Sequence, residues 1–211
     1  MLHKETVTPA TLELIKTLQA DKNFENFVLV GGTALSLQIG HRISVDIDLF
    51  SRNAFDSATL SEYLEKKYNF SQQYTHHNTL KGFINNIFVD ILTHDYTYIY
   101  PPILEDGISM LSKADIAAMK VNAITGNGTR VKDFIDIYFL LKEYSFGDIV
   151  SFYKKKYGNR NEFHAVKSLT YFNDIRISDW PNMVLEKKLT LPGLKKELKK
   201  KRDDFVSKHL K

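Results

Sequence analysis

Asp46 and Asp48 close the run VGGTALSLQIGHRISVDIDLF, Val30 to Phe50, and a third aspartate, Asp90, lies in FVDIL. Ile43, Val45, Ile47 and Leu49 alternate with Ser44, Asp46 and Asp48. Strand side chains change face at every residue, so both carboxylates project from one face above an apolar underside. Like charges at that spacing repel and raise each other's pKa unless a cation neutralises them, and all-oxygen ligands favour Mg²⁺. Asp90 sits in a second alternating stretch, Ile87 to Leu92, which reads as a central strand where a buried carboxylate needs a partner or a metal. Three carboxylates on two strands are what a two-metal phosphoryl transfer requires. One Mg²⁺ holds the triphosphate of a bound nucleotide and the other lowers the pKa of an attacking hydroxyl.

Other residues supply the remaining parts of such a site. Gly31-Gly32 ends the apolar strand Phe27 to Val30 and leads into a helix over Thr33 to Ile39, stopped by Gly40. Backbone N–H groups at a helix start reached through glycines make a phosphate site, to which the Thr33 hydroxyl adds a donor. His41 and Arg42 suit contact with a base or phosphate, and equally suit a loop that pins the aspartate strand. Ser112 and Asp115 cap a helix to Ile124 in which Lys120 shares the apolar stripe of Ile116, Ala117 and Ile124, so Lys120 points inward and is a candidate to neutralise phosphate oxygens. In the next helix, Arg130 to Tyr144, Asp133 and Asp136 share a face with Leu140.

The bland alternatives are equally physical. Asp46 and Asp48 suit a solvated edge strand, Asp90 an arginine partner, and Lys120 a side chain snorkelling from an apolar stripe. Asp133 or Asp136 suits an ion pair with Arg130, Lys132 or Arg42, with Asp133 favoured for chemistry. His76-His77 lacks a carboxylate companion at metal-ligand spacing and reads as strand-edge surface. The lysine-rich end, Lys195, Lys196 and Lys199 to Arg202, reads as a solvated helix face, with an acceptor RNA as the alternative.

Thr8-Pro9 starts a first helix with Leu12, Ile15 and Leu18 on one stripe, and Asp56 caps another carrying Leu60 and Leu64. Strands are expected at Phe70 to His76 and Phe83 to Leu92, joined by a turn around Asn78 to Gly82. Pro101-Pro102 breaks this pattern, which divides the chain into residues 1–100, carrying the carboxylates, and a helical part, 101–211. Helices are expected there at Asp148 to Tyr157, Glu162 to Phe172 and Leu194 to Leu210. The fold class is α+β.

With 211 residues there is ample material for a core, and the net charge of +4 attracts a polyanion without predicting one. No cysteine is present, which excludes disulfides and thiolate metal sites. No apolar run approaches the roughly 20 residues of a membrane span, and the start MLHKETVTPATLEL lacks a signal-peptide core, so a cytoplasmic location without membrane contact is expected.

The run GGTALSLQIGHRISVDIDLF, the FVDIL strand, the AAMKVNAI helix and RVKDFIDIYFLL resemble, in that order, the nucleotidyltransferase family of the AbiEii/AbiGii abortive-infection toxins, the toxin halves of type IV toxin–antitoxin systems. The resemblance covers about residues 25 to 145. It implies the polymerase-β-type nucleotidyltransferase fold, a mixed sheet flanked by helices, followed by a helical domain. It also implies Mg²⁺-dependent use of a nucleoside triphosphate, a cognate antitoxin, and transfer to the acceptor end of tRNA as in some members. Gly31, Gly32 and Thr33 match the glycine motif, Asp46 and Asp48 the metal-binding pair, Lys120 the active-site lysine and Asp133 the later acidic motif. The general nucleotidyltransferase pattern has Gly-Ser where this chain has Gly-Gly-Thr. The expected activity is therefore transfer of a nucleoside monophosphate from a triphosphate to an acceptor RNA. The rivals are a small-molecule or protein hydroxyl as acceptor, and a non-catalytic nucleotide- or antitoxin-binding module.

Overall fold

Alternating apolar strands and helices with one apolar stripe must bury those faces against one another, and here they do so in two separate units. The computed structural model describes residues 1–158 and 160–209, with the backbone alone for His209. The first unit comprises Met1–Thr97 and Pro101–Leu111, the second Tyr98–Tyr100 and the chain from Ser112 onward. The first contains, in chain order, α1 (Pro9–Gln19), β1 (Phe27–Leu29), α2 (Gly31–Ile39), β2 (Ile47–Ser51), α3 (Ser57–Tyr68), β3 (Ser71–His76), β4 (Thr79–Ile84), β5 (Ile87–Thr93), β6 (Ile103–Glu105) and β7 (Ile108–Met110). The second contains α4 (Lys113–Gly126), α5 (Val131–Leu140), α6 (Phe146–Tyr157), α7 (Glu162–Ser168) and α8 (Leu191–His209). The last position of the helix expected to run to Leu210 lies outside the described residues. Among the described residues no helix is long and apolar enough to cross a membrane.

The seven strands form one mixed sheet in the order β3-β4-β5-β2-β1-β7-β6. β2 lies parallel to β5 and antiparallel to β1, while β1 lies parallel to β7. Ile47 and Leu49 face Val89 and Ile91 across the β2–β5 pair, and all four are fully buried. Each such side chain contributes about 1.5–3 kcal/mol by leaving water. The opposite faces of the same two strands carry Asp48 and Asp90.

Three sequence expectations change. β2 begins at Ile47, and Val45, expected underneath, is 52% exposed, because residues 43–46 form a loop. The expected turn at Asn78 to Gly82 is instead most of β4. Asn85 and Asn86 both take positive φ (49° and 64°), which closes the two-residue β4–β5 hairpin. The sheet also continues past residue 100: Asp106-Gly107, with φ of 52° and 78°, turns β6 back into β7. Residues 101–111 thus pack with the sheet, and the helical unit is entered at Ser112.

A buried acid ties α3 to the segment after α1. Asp21, 8% exposed, accepts at Oδ2 from Tyr63 Oη (2.6 Å), Lys67 Nζ (2.8 Å) and Tyr68 Oη (2.7 Å). Burial pushes its pKa up, but the bonds from Lys67 and the two tyrosines outweigh it, and the carboxyl ends well below the usual range. A depressed carboxylate contributes stability above its unfolded pKa, and that contribution disappears as pH falls through the folded value. Asp21→Asn is therefore expected to cost about 2 kcal/mol at pH 7 in urea unfolding, with the difference from wild type shrinking progressively below about pH 4.

In the second unit α4 is buried along Ile116, Ala117, Val121 and Ile124, and α5 along Phe134, Ile135, Ile137 and Leu140. Ser112 caps α4 by accepting from Asp115 N at 3.1 Å. The Asp115 carboxylate, itself fully buried, accepts from the backbone N–H groups of Ile99 and Tyr100 and pairs with Lys156 Nζ at 2.7 Å. That pair fastens residues 98–100 to the helices.

Candidate active site

Strand register brings two of the three aspartates together. Asp48 on β2 and Asp90 on β5 are direct Cα partners in the parallel pair, so their side chains share a face at the spacing of neighbouring strands, about 4.8 Å. Lys81 on β4 is in turn the partner of Asp90, and its Nζ stands 2.6 Å from Asp90 Oδ2. Asp90 Oδ1 is buried with no hydrogen-bond partner. The sheet thus carries a row, Lys81, Asp90, Asp48, in which Lys81 pairs with Asp90 and one buried Asp90 oxygen is left unmatched. A buried acceptor without a donor costs about 1–3 kcal/mol, which marks it as a place for a ligand. Asp46 lies two residues before Asp48 in the loop and is partly exposed.

The glycine pair fits against this row. Val30 N–H donates to the Asp48 carbonyl at 2.9 Å, and Gly31, with φ of +68°, begins α2 without a side-chain cap. A Cβ on Gly31 would stand 2.1 Å from Asp48 Oδ2, and one on Gly32 2.2 Å from Arg42 Nη2. Both glycines therefore make room for charged groups that approach the helix start. A carboxylate there is favoured by the helix dipole. Gly31→Ala is expected to displace Asp48 and to strain the left-handed backbone, lowering stability by about 1–3 kcal/mol and lowering transfer activity. Thermal melts and rate measurements on the same preparation check both parts.

Two sequence expectations are reassigned here. The Thr33 hydroxyl, expected at a phosphate, is fully buried; it donates to the Asp46 carbonyl and lies 2.9 Å from Ser44 Oγ. It holds the aspartate loop against α2. Arg42, 3% exposed, bonds with Nη1 to the Ile43 carbonyl at 3.2 Å, which matches the loop-pinning alternative. Ser44 and Lys81 went unnoticed in the sequence, because each acts through a partner that only the folded register supplies.

In the second unit, Lys120 Nζ lies between Asp133 Oδ1 (2.6 Å) and Asp136 Oδ2 (2.7 Å), and all three residues are buried. The sequence left open which aspartate matters; both are bound to Lys120. Asp133 Oδ2 is buried without a hydrogen bond, with Arg130 Nε at 4.0 Å. His76 and His77 are exposed, as expected.

The carboxylate face suits a hard cation by donor type: oxygen ligands alone, two of them opposed and one oxygen unmatched. As placed, Asp90 Oδ2 is drawn to Lys81 and Asp48 toward Gly31. Among the described residues, no three acidic or imidazole groups surround one point.

Comparisons with known proteins identify the fold and the family. An uncharacterised protein of Aquifex aeolicus (strain VF5) is 34% identical over 157 residues, 72% of this chain and 76% of that protein. MenT4, a nucleotidyltransferase toxin of Mycobacterium tuberculosis H37Rv, has a similar fold, with a TM-score of 0.63 at 14% identity, over 92% of this chain and 80% of that one. A Helicobacter pylori protein described as a nucleotidyltransferase gives a TM-score of 0.58 at 17% identity, over 95% and 96%. These likenesses show a nucleotidyltransferase fold. The family model described as nucleotidyl transferase AbiEii toxin, type IV TA system, matches residues 13–73 and 84–210. The chain thus belongs to the AbiEii nucleotidyltransferase toxin family and is a nucleotidyltransferase.

Proposed function

We propose that the enzyme transfers a nucleoside monophosphate from a nucleoside triphosphate to the 3′ end of an RNA, with tRNA the first acceptor to try, and that this activity makes it the toxin partner of a cognate antitoxin. The observation that carries the reading is the opposition of Asp48 and Asp90 beside the uncapped, glycine-opened start of α2. The acceptor hydroxyl attacks the α-phosphorus, the bond to the bridging oxygen breaks, and pyrophosphate leaves. Asp46, Asp48 and Asp90 would hold two Mg²⁺ ions, which when bound supply charge neutralisation on the phosphates and a lowered pKa for the attacking hydroxyl.

The chain's own residues do the rest. Backbone N–H groups of the Gly31-Gly32 turn bind phosphate oxygens, and Thr33, Ser44 and Arg42 keep the aspartate loop in place. Lys81 fixes the rotamer of Asp90. Lys120 keeps the role of phosphate neutraliser that its motif match gives it, and Asp133, 2.6 Å from its ammonium, acts by orienting it. In the second unit's buried cluster two carboxylates face the lysine Nζ.

The test is incorporation of label from each of the four α-labelled triphosphates into purified tRNA with Mg²⁺, beside tRNA whose 3′ diol has been oxidised by periodate. Label on intact tRNA alone is the expected result. Label on a protein or metabolite instead, with none on tRNA, would sink the RNA-acceptor reading.

A further inference from the structure

α8 holds a face that no part of the carboxylate site uses. Leu191–His209 carries seven basic and three acidic residues, an excess equal to the net +4 of the whole chain. Leu194 and Leu198 are fully buried and Phe205 packs on Phe146 at 5.4 Å, which fixes the inner side of the helix. At 100° per residue, Lys196, Lys199 and Lys200 fall on the opposite side, exposed. None of the three makes an ion pair among the described residues. Unpaired like charges at three- and four-residue spacing destabilise an isolated helix, so this row is a cost to the fold that a bound polyanion would remove.

An exposed aromatic residue lies on a segment fastened to α8. Lys195 lies over the Phe172 ring at 5.6 Å and Arg202 Nη1 donates to Thr170 Oγ1 at 2.9 Å, so the segment holding Tyr171 is fastened along the edge of α8. Tyr171 itself is 47% exposed. Lysines that track phosphates next to a ring on which a base can stack are the elements of a single-stranded nucleic-acid surface.

We infer that the outer face of α8, Lys196, Lys199 and Lys200 with Tyr171, binds the backbone and one base of an unpaired RNA segment; the choice of RNA over another polyanion rests on the RNA-acceptor reading above. An acidic protein would satisfy the lysines but leave the exposed ring without a role.

The experiment measures anisotropy of a fluorescein-labelled RNA of about 12 nucleotides with the full chain across 50 to 200 mM salt. Replacing the lysines together (K196Q/K199Q/K200Q) is expected to weaken binding more than tenfold at 100 mM and to flatten the salt slope by about 2. Tyr171→Ala is expected to weaken it by about fivefold or more with the slope unchanged. Helical circular dichroism checks that the variants fold. Wild-type binding with no effect of the lysine variant overturns the inference while leaving transfer intact, as does poly-glutamate displacing RNA as effectively as unlabelled RNA does. No wild-type binding at 50 mM salt overturns it too. The predicted slopes in a chain that transfers nothing would support the surface and remove the transfer reading alone.

Discussion

Asp48→Asn is expected to lower nucleotide transfer on the order of a thousandfold while leaving the melting temperature within a few degrees of wild type. The size follows from what a ligand carboxylate does in a site of this kind. In the proposed site several kcal/mol of charge stabilisation at the reacting phosphate would depend on it, and about 4 kcal/mol corresponds to three decades in rate. The small effect on stability follows from register. Asp48 faces Asp90 across the parallel strand pair, so a neutral isostere removes carboxylate repulsion as well as attraction. Single-turnover rates at saturating triphosphate, with melts on the same protein, measure both. A variant that transfers normally would remove Asp48 from the chemistry. One that fails to fold would show that the carboxylate is structural.

Lys120→Met is expected to have the largest effect on stability, about 3–5 kcal/mol, or roughly 6–20 °C in melting temperature. Its Nζ lies between Asp133 and Asp136, all three residues being buried, and its removal leaves two buried carboxyl groups 2.6 and 2.7 Å from where it stood. Adding Asp133→Asn and Asp136→Asn to Lys120→Met is expected to restore much of the loss, because neutral groups in the same place no longer repel. If Lys120→Met alone melted like wild type, the cluster would not be holding α4 to α5. Residual transfer by the rescued triple variant separates the lysine's phosphate role from its structural one.

The parts of this architecture that were legible in the sequence depend on near neighbours. Strand alternation put Asp48 and Asp90 each on the face opposite its apolar neighbours, Thr8, Asp56 and Ser112 announced their helices, and each accepts the capping bond expected of it. What was hidden depends on pairing at a distance. Lys81 meets Asp90 because Asn85 and Asn86 turn the β4–β5 hairpin in two residues, and Lys156 meets Asp115 across 41 positions. The β6–β7 hairpin did leave a local mark, Asp106-Gly107, but the preceding prolines masked it. Thr33 looked like a phosphate ligand because its type and place fit one; only the loop folding back over α2 turns its hydroxyl inward.

The parallel pairing of β2 with β5 also bears on when the enzyme becomes active after synthesis. The β3–β4–β5 meander closes through short turns and can form early, whereas Asp48 meets Asp90 only after the chain between them has folded back to the sheet centre. Such long-range closure is slow relative to hairpin formation. The acidic pair is therefore expected to assemble late, so that a partly made chain has its glycine turn and its aspartates but not yet the facing carboxylates of the proposed site.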